Sequence, residues 1–148
     1  MGQNQFMPSS FLNFAVDYNG DGKKDIWNTL PDVFASSANY LNLSGWDREL
    51  TWGREVIVTM EINEELISRS ARKIDISKSL REWSELGILK ADMSSLPDRD
   101  LQAYLIYPEG DDGRKYLVYE NFKVIMRWNR SLFFGISVGT LADMIEYY

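Results

Sequence analysis

Two residue types are missing altogether from this 148-residue chain: it contains no cysteine and no histidine. Without cysteine there are no disulfides, no thiol nucleophile and no thiolate metal site. Without histidine, Ser–His and Cys–His nucleophilic catalysis and histidine zinc sites are excluded. The 16 basic residues are outnumbered by 22 acidic ones, giving a net charge of −6, and they form no run. An acidic chain without a basic cluster is not expected to have nucleic acid as a partner. No secretory leader and no apolar run of membrane-spanning length is visible. The chain opens at Met1-Gly2 in the middle of what reads as a motif, so a longer native N-terminus is expected. What the sequence does contain, 45 % apolar and 14 % aromatic residues, is enough for a packed interior.

The most informative stretch is Asp17-Tyr18-Asn19-Gly20-Asp21-Gly22-Lys23-Lys24-Asp25-Ile26-Trp27. Calcium is a hard cation that takes six to eight oxygens, and alternate positions along a tight turn can aim side-chain oxygens inward. Asp17, Asn19 and Asp21 occupy relative positions 1, 3 and 5, Gly22 the sharp bend at 6, and the Lys23 carbonyl position 7. Asp25, at position 9, could act directly or through a water. Position 12 holds Asn28 rather than a bidentate glutamate, leaving Asp32 as the nearest carboxylate able to close the shell. The spacing predicts a structural Ca²⁺ site. The plainer alternative is a metal-free turn, since Asp, Asn and Gly favour turns in any case.

Periodicity predicts three regions. Residues 1–45 read as helical around the loop, with Pro8 at a helix start and Phe11, Leu12 and Ala15 on one face. A second helix begins near Asn28 or Thr29, carries Pro31 and Asp32 in its first turn, and ends at Gly45. Val33, Phe34, Ser37, Ala38 and Leu41 form its expected inner stripe. Residues 46–120 read as a small α/β region. Residues 56–60 are strand-like, and residues 77–86 suggest a helix opened by the capping box Ser79-Leu80-Arg81-Glu82. Residues 101–107 and 115–119 suggest a hairpin with a glycine-rich tip. Residues 121–148 return to helical spacing through Val124, Ile125 and Trp128, then Leu132, Ile136, Val138, Gly139, Leu141 and Ile145. The fold class is α+β, with helices at both ends around a small sheet.

Taken in order, Gly2-Gln3-Asn4-Gln5-Phe6-Met7-Pro8-Ser9-Ser10, the 17–27 loop, Ala38-Asn39-Tyr40 and Arg127-Trp128-Asn129-Arg130-Ser131 resemble the membrane-bound lytic murein transglycosylase B family. Gly45-Trp46, Trp52-Gly53-Arg54-Glu55 and Leu80-Arg81-Glu82-Trp83 add to the likeness. The resemblance implies a lysozyme-like helical portion with an EF-hand-like calcium loop and a small β-containing subdomain. It implies non-hydrolytic cleavage of the MurNAc–GlcNAc glycan of peptidoglycan to a 1,6-anhydro product. It further implies glycan strands as partner, no organic cofactor, and a periplasmic or outer-membrane location. Carried over position by position, it makes Gln5, Phe6, Tyr40, Trp128, Asn129 and Phe134 substrate-binding residues, and Asp17, Asn19, Asp21, Lys23 and Asp32 metal ligands. Trp128 and Phe134 stand where the family often has tyrosines, so they keep the rings without the hydroxyls. The aromatics could equally be core, whereas Gln5 and Asn129 are expected to be amides buried for a purpose.

The family's acid/base glutamate lies in an E-S-x-x-G segment upstream of Gln-Phe-Met-Pro-Ser. This chain contains no such segment, and no glutamate precedes Glu49. The expectation is a glycan-binding portion without the catalytic carboxyl, inactive by itself. The runner-up is a non-catalytic peptidoglycan-binding or scaffolding module. Retained helices missing part of their core would expose apolar surface, from which a homodimer is expected.

Overall fold

Pro8 at the first helical position opens α1 (Pro8–Phe14), where its missing N–H costs nothing and its fixed φ suits the first turn. The computed structural model describes residues 1–146 and divides into two units, Met1–Asp47 and Arg48–Tyr148. In the first unit, α1 ends at Ala15, whose N–H returns to the Phe11 carbonyl at 3.0 Å. Helix α2 (Leu30–Leu43) has Pro31 and Asp32 in its first turn, and Thr29 precedes it without a side-chain capping bond. Gly45 ends it at φ +96°. The Gly45 N–H reaches the Asn42 carbonyl at 3.1 Å and the Trp46 N–H reaches Leu41 at 3.0 Å, the two bonds of a Schellman stop.

The inner stripe of α2 differs from expectation. Its buried residues are Asp32, Val33 and Ser36, while Phe34 is 68 % exposed. The helix is rotated so that a polar pair, Asp32 and Ser36, faces inward to serve backbone donors of the preceding loop. Ser36 Oγ accepts the Val16 N–H at 2.9 Å. Leu12, expected on the inner face of α1, is likewise exposed.

The second unit is built on a six-stranded sheet. Its strands are β1 (Gly53–Val58), β2 (Ile67–Ser68), β3 (Lys78–Ser79), β4 (Ile88–Lys90), β5 (Gln102–Ile106) and β6 (Lys115–Val118). The spatial order is β2-β5-β6-β1-β4, with β3 also pairing β5. The β5–β6 hairpin is antiparallel, as its turn sequence predicts, with Leu105 opposite Leu117. The short β2, β3 and β4 are not evident in the sequence, because two or three residues carry no readable alternation. Helix α3 (Leu80–Glu85) is shorter than the 77–86 span but begins at the predicted capping box. Ser79 N–H donates to Glu82 Oε2 at 2.8 Å and the Glu82 N–H returns to Ser79 Oγ. The Ser79 N–H, and with it the Ser79 hydroxyl at 2.9 Å, holds the Glu82 carboxyl below the usual carboxylate range. Trp83, Leu80, Ile88, Leu105, Leu117 and Tyr119 form the core beneath this helix, and Trp83 Nε1 donates to the Ala103 carbonyl at 2.9 Å.

Helices α4 (Glu120–Trp128) and α5 (Leu132–Glu146) belong to the same unit as the sheet. The end of the helical span expected to run to residue 148 lies outside the described residues. Helix α5 docks by its smallest residues rather than its largest. Only Leu132, Gly135 and Gly139 are buried, while Val138, Leu141 and Ile145 are exposed. A Cβ on Gly139 would lie 2.3 Å from the Trp52 ring, and one on Gly135 2.6 Å from Phe122. Trp52 Nε1 then donates to Asp143 Oδ2 at 2.9 Å, one turn further along. Gly139→Val should therefore destabilise the fold by about 1–3 kcal/mol through overpacking. A lowered urea midpoint with unchanged slope would be the sign of it, and an unaltered midpoint would contradict this packing.

Candidate functional site

The polar N-terminal segment is tied down amide by amide. Gln3 N–H donates to the Ile26 carbonyl at 2.8 Å and its Nε2 to the Trp27 carbonyl at 2.9 Å. Asn4, buried, donates from Nδ2 to the Val33 carbonyl at 2.9 Å and to Ser37 Oγ at 2.6 Å. Gln5 sits at φ 54°, a left-handed conformation uncommon for a residue with a side chain. Its backbone N–H and its Nε2 both return to the Gly2 carbonyl, at 3.2 and 2.7 Å. The segment is thus a folded turn resting on the end of the 17–27 loop and on α2. Gln3 and Asn4 make its anchoring bonds, and sequence reasoning passed over both in favour of Gln5.

The loop itself is closed by side-chain oxygens. Asp17 Oδ1 accepts the N–H groups of Gly20 at 2.8 Å and Asp21 at 3.2 Å, and Oδ2 accepts that of Gly22 at 2.8 Å. Asn19 Oδ1 accepts from Asp21 N–H at 3.1 Å, and Asp21 Oδ1 from Lys23 N–H at 2.9 Å. Asp25 Oδ1 accepts the N–H groups of Trp27 and Asn28, both at 2.9 Å. The Asn28 and Trp27 donors hold the Asp25 carboxyl below its ordinary range, so their contribution is present above that range and is lost as the pH falls below it and through the lowered folded-state value.

Asp32 is fully buried and clamps the two ends of the loop: Oδ1 accepts the Tyr18 N–H and Oδ2 the Asp25 N–H, each at 2.9 Å. Among the described residues no three carboxylate, histidine or cysteine side chains converge as a metal cage. A calcium shell here would need Asn19 and the Lys23 carbonyl alongside the carboxylates. The donor set does fit a hard cation, since it is all oxygen and the carboxylate oxygens bonded to a single N–H, such as Asp17 Oδ2 and Asp21 Oδ1, keep a further lone pair.

The aromatic candidates in this unit form one cluster. Phe6 is buried, with its ring centroid 6.5 Å from Phe14 and 5.8 Å from Tyr40, and Phe14 meets Tyr40 edge-on at 4.8 Å. On its other side Phe6 borders an apolar cavity of about 340 Å³ shared with Phe11, Leu12, Ile26 and Trp27. Phe6 therefore both packs in the core and borders a cavity.

In the second unit, Trp128 ends α4 half-buried, Asn129 follows it exposed, and Phe134 lies half-buried in the first turn of α5. Ser131 Oγ accepts the Phe134 N–H at 3.3 Å, capping α5. The burial expected for Gln5 and Asn129 is not found: both are exposed, because both occupy connections outside the helices. Both residues are accessible from outside, and the Gln5 amide is also tied to the Gly2 carbonyl.

A family model described as the transglycosylase SLT domain matches residues 1–143. The chain belongs to that family. Over 46 residues it is 48 % identical to membrane-bound lytic murein transglycosylase B of Escherichia coli, which is 31 % of this chain and 12 % of that protein. The crystal structure of SltB3 from Pseudomonas aeruginosa in complex with NAG-anhNAM-pentapeptide matches with a TM-score of 0.88 and 38 % identity. That match covers 99 % of this chain and 38 % of the other. The Escherichia coli lytic transglycosylase SLT35, in complex with calcium, matches at TM-score 0.75 and 26 % identity, over 99 % of this chain and 44 % of its own. The chain thus spans less than half the length of each of these relatives.

The α+β, lysozyme-like class read from the sequence agrees with these folds. The relatives are bacterial cell-wall enzymes by name, and no helix among the described residues is long and apolar enough to cross a membrane. Asp32→Ala would leave two backbone donors without their acceptor, at about 1–3 kcal/mol. Faster hydrogen exchange at the Tyr18 and Asp25 amides is the expected reading. Protection at both amides equal to that of the unsubstituted chain would refute the clamp.

Proposed function

We propose that this chain is the glycan-binding part of a peptidoglycan lytic transglycosylase, one that cuts the MurNAc–GlcNAc linkage without water and leaves a 1,6-anhydro ring. The observation that carries the reading is the match to SltB3 with a bound NAG-anhNAM-pentapeptide over 99 % of this chain. Gln5, Phe6 and Tyr40 in the first unit, and Trp128, Asn129 and Phe134 in the second, are the proposed sugar contacts. Aromatic faces suit the C–H faces of pyranose rings, and exposed amides both donate to and accept from hydroxyls. A location in the periplasm or at the outer membrane follows from the substrate.

The chemistry asks for one carboxylic acid. Kept protonated by an apolar setting, it protonates the leaving oxygen and then, as carboxylate, takes the proton of the sugar's own 6-hydroxyl. That internal hydroxyl replaces the water and the second acid of ordinary glycoside hydrolysis. No residue of this chain is proposed for the role, since it contains no E-S-x-x-G and no glutamate before Glu49. The second reading is a non-catalytic module that holds peptidoglycan. Purified sacculi should release no anhydro-muropeptides when incubated with this polypeptide alone, while sedimenting with it. Release would show an acid within the chain, and failure to co-sediment would remove the glycan-binding reading.

The calcium ligands proposed are Asp17, Asn19, Asp21, the Lys23 carbonyl and Asp32. Supporting them are the hard-oxygen donor set and the calcium complex of SLT35. When bound, the ion would supply charge neutralisation and stiffness to the loop, not reactivity. An ion that binds only the folded chain at a hundredfold excess over Kd adds about 2.7 kcal/mol. Chelation should then lower the melting temperature by roughly 5–10 °C. A melt that ignores both millimolar calcium and EDTA would exclude the site.

A further inference from the structure

The fold assembles a basic pocket that the sequence does not show. On α4, Lys123, Met126 and Arg127 follow at i, i+3 and i+4, one face of a helix, and Arg130 joins them from just past its end, beyond the extended Asn129. Opposite them, the turn after β2 brings Ala71, Arg72 and Ile74, held by the Lys73 N–H to the Ser70 carbonyl at 3.0 Å. Together these seven residues line a cavity of about 280 Å³.

Its floor is apolar, with Ile74 and Met126 both buried. Its rim is four cations, and no acidic side chain is among the lining residues, on a chain whose net charge is −6. Lys123 is fixed by Tyr104, its Nζ lying 3.7 Å from the ring centroid, and by Glu120 at 3.3 Å. The dipole of α4 accounts for cations at its C-terminal end. It does not account for Arg72 arriving from a separate turn, nor for an open apolar floor between them.

Resting on the proposed binding of peptidoglycan, we infer that this pocket takes the carboxylates of the glycan's peptide stem. Carboxylate pairs with guanidinium in a two-pronged, charge-assisted geometry, and apolar groups of a bound peptide would rest on the floor of Ile74 and Met126. Asn129, a proposed sugar contact, lies between Arg127 and Arg130 in sequence, which keeps the two kinds of recognition in neighbouring residues.

The test is calorimetric titration of the whole chain with three probes: NAG-anhNAM, NAG-anhNAM-pentapeptide and the free pentapeptide. The pentapeptide-bearing sugar should bind more tightly than the bare one. The double variant Arg72→Gln, Arg130→Gln, both positions exposed and an unchanged melt confirming its fold, should lose about tenfold of that preference. Affinity for NAG-anhNAM should stay as it was, and the preference should shrink with salt. Equal affinity for the two sugars, or a preference intact in the double variant, overturns the inference and leaves the glycan reading standing. Binding of the free pentapeptide, lost in the variant, with no binding of NAG-anhNAM, keeps the pocket and sinks the glycan contacts. Binding of no probe sinks both. Inorganic phosphate binding more tightly than the pentapeptide would assign the pocket to phosphate and overturn the inference as well.

Discussion

The first unit depends on a single buried carboxylate. Burying an unpaired charge is costly, and Asp32 escapes that cost by accepting two backbone N–H groups from residues seven apart in the chain, Tyr18 and Asp25. Its place in the first turn of α2 adds the favourable field of the helix N-terminus. Because one oxygen holds each end, the loop between is closed before any ion is considered. The bonding then passes outward: Asp25, fixed through its N–H, receives Trp27 and Asn28, and the carbonyls of Ile26 and Trp27 receive Gln3. The geometry of the N-terminal turn, and so the presentation of Gln5, is set through that sequence of bonds.

The second unit rests on a different constraint, close approach. Glycines one turn apart on α5 let the Phe122 and Trp52 rings sit where a Cβ would be, and the Trp52–Asp143 bond fixes the register. Docking through small residues has a consequence for the other faces. Phe133, Val138, Leu141, Met144 and Ile145 are all more than a third exposed, which for an apolar helix is a surface available to something else.

What the sequence made legible follows the strength of the local signal. The Ser79–Glu82 box, the Pro8 start, the Gly45 stop and the hairpin with its glycine-rich tip are decided within a few residues, and all are found. The three shortest strands escaped notice because their pairing depends on partners many residues away, as Ile67 depends on Leu105. Helix faces were misjudged where tertiary contacts overrode hydrophobicity. Phe34 was expected inside, but the loop's need for acceptors brought Asp32 and Ser36 inward instead. On α5 the room taken by Trp52 admits only glycine, and Val138 and Leu141 lie exposed. Gln5 and Asn129 were singled out by resemblance, yet the burial inferred for them was wrong, since a motif fixes residue type and says little of exposure.

The charge pattern shows the same limit in its sharpest form. Read along the chain, the cations are scattered among a larger number of acids, and nothing suggests that they act together. Helical spacing gathers Lys123 and Arg127 on one face, the connection after α4 adds Arg130, and a turn some fifty residues earlier supplies Arg72. At separations shorter than a Debye length, about 8 Å at physiological salt, the field at such a spot is set by its near neighbours and not by the net charge of −6. An acidic protein can therefore present a cationic pocket to an acidic ligand while repelling polyanions at long range. That combination favours a short, locally charged segment carried on an otherwise neutral polymer, and disfavours nucleic acid, whose charge is continuous.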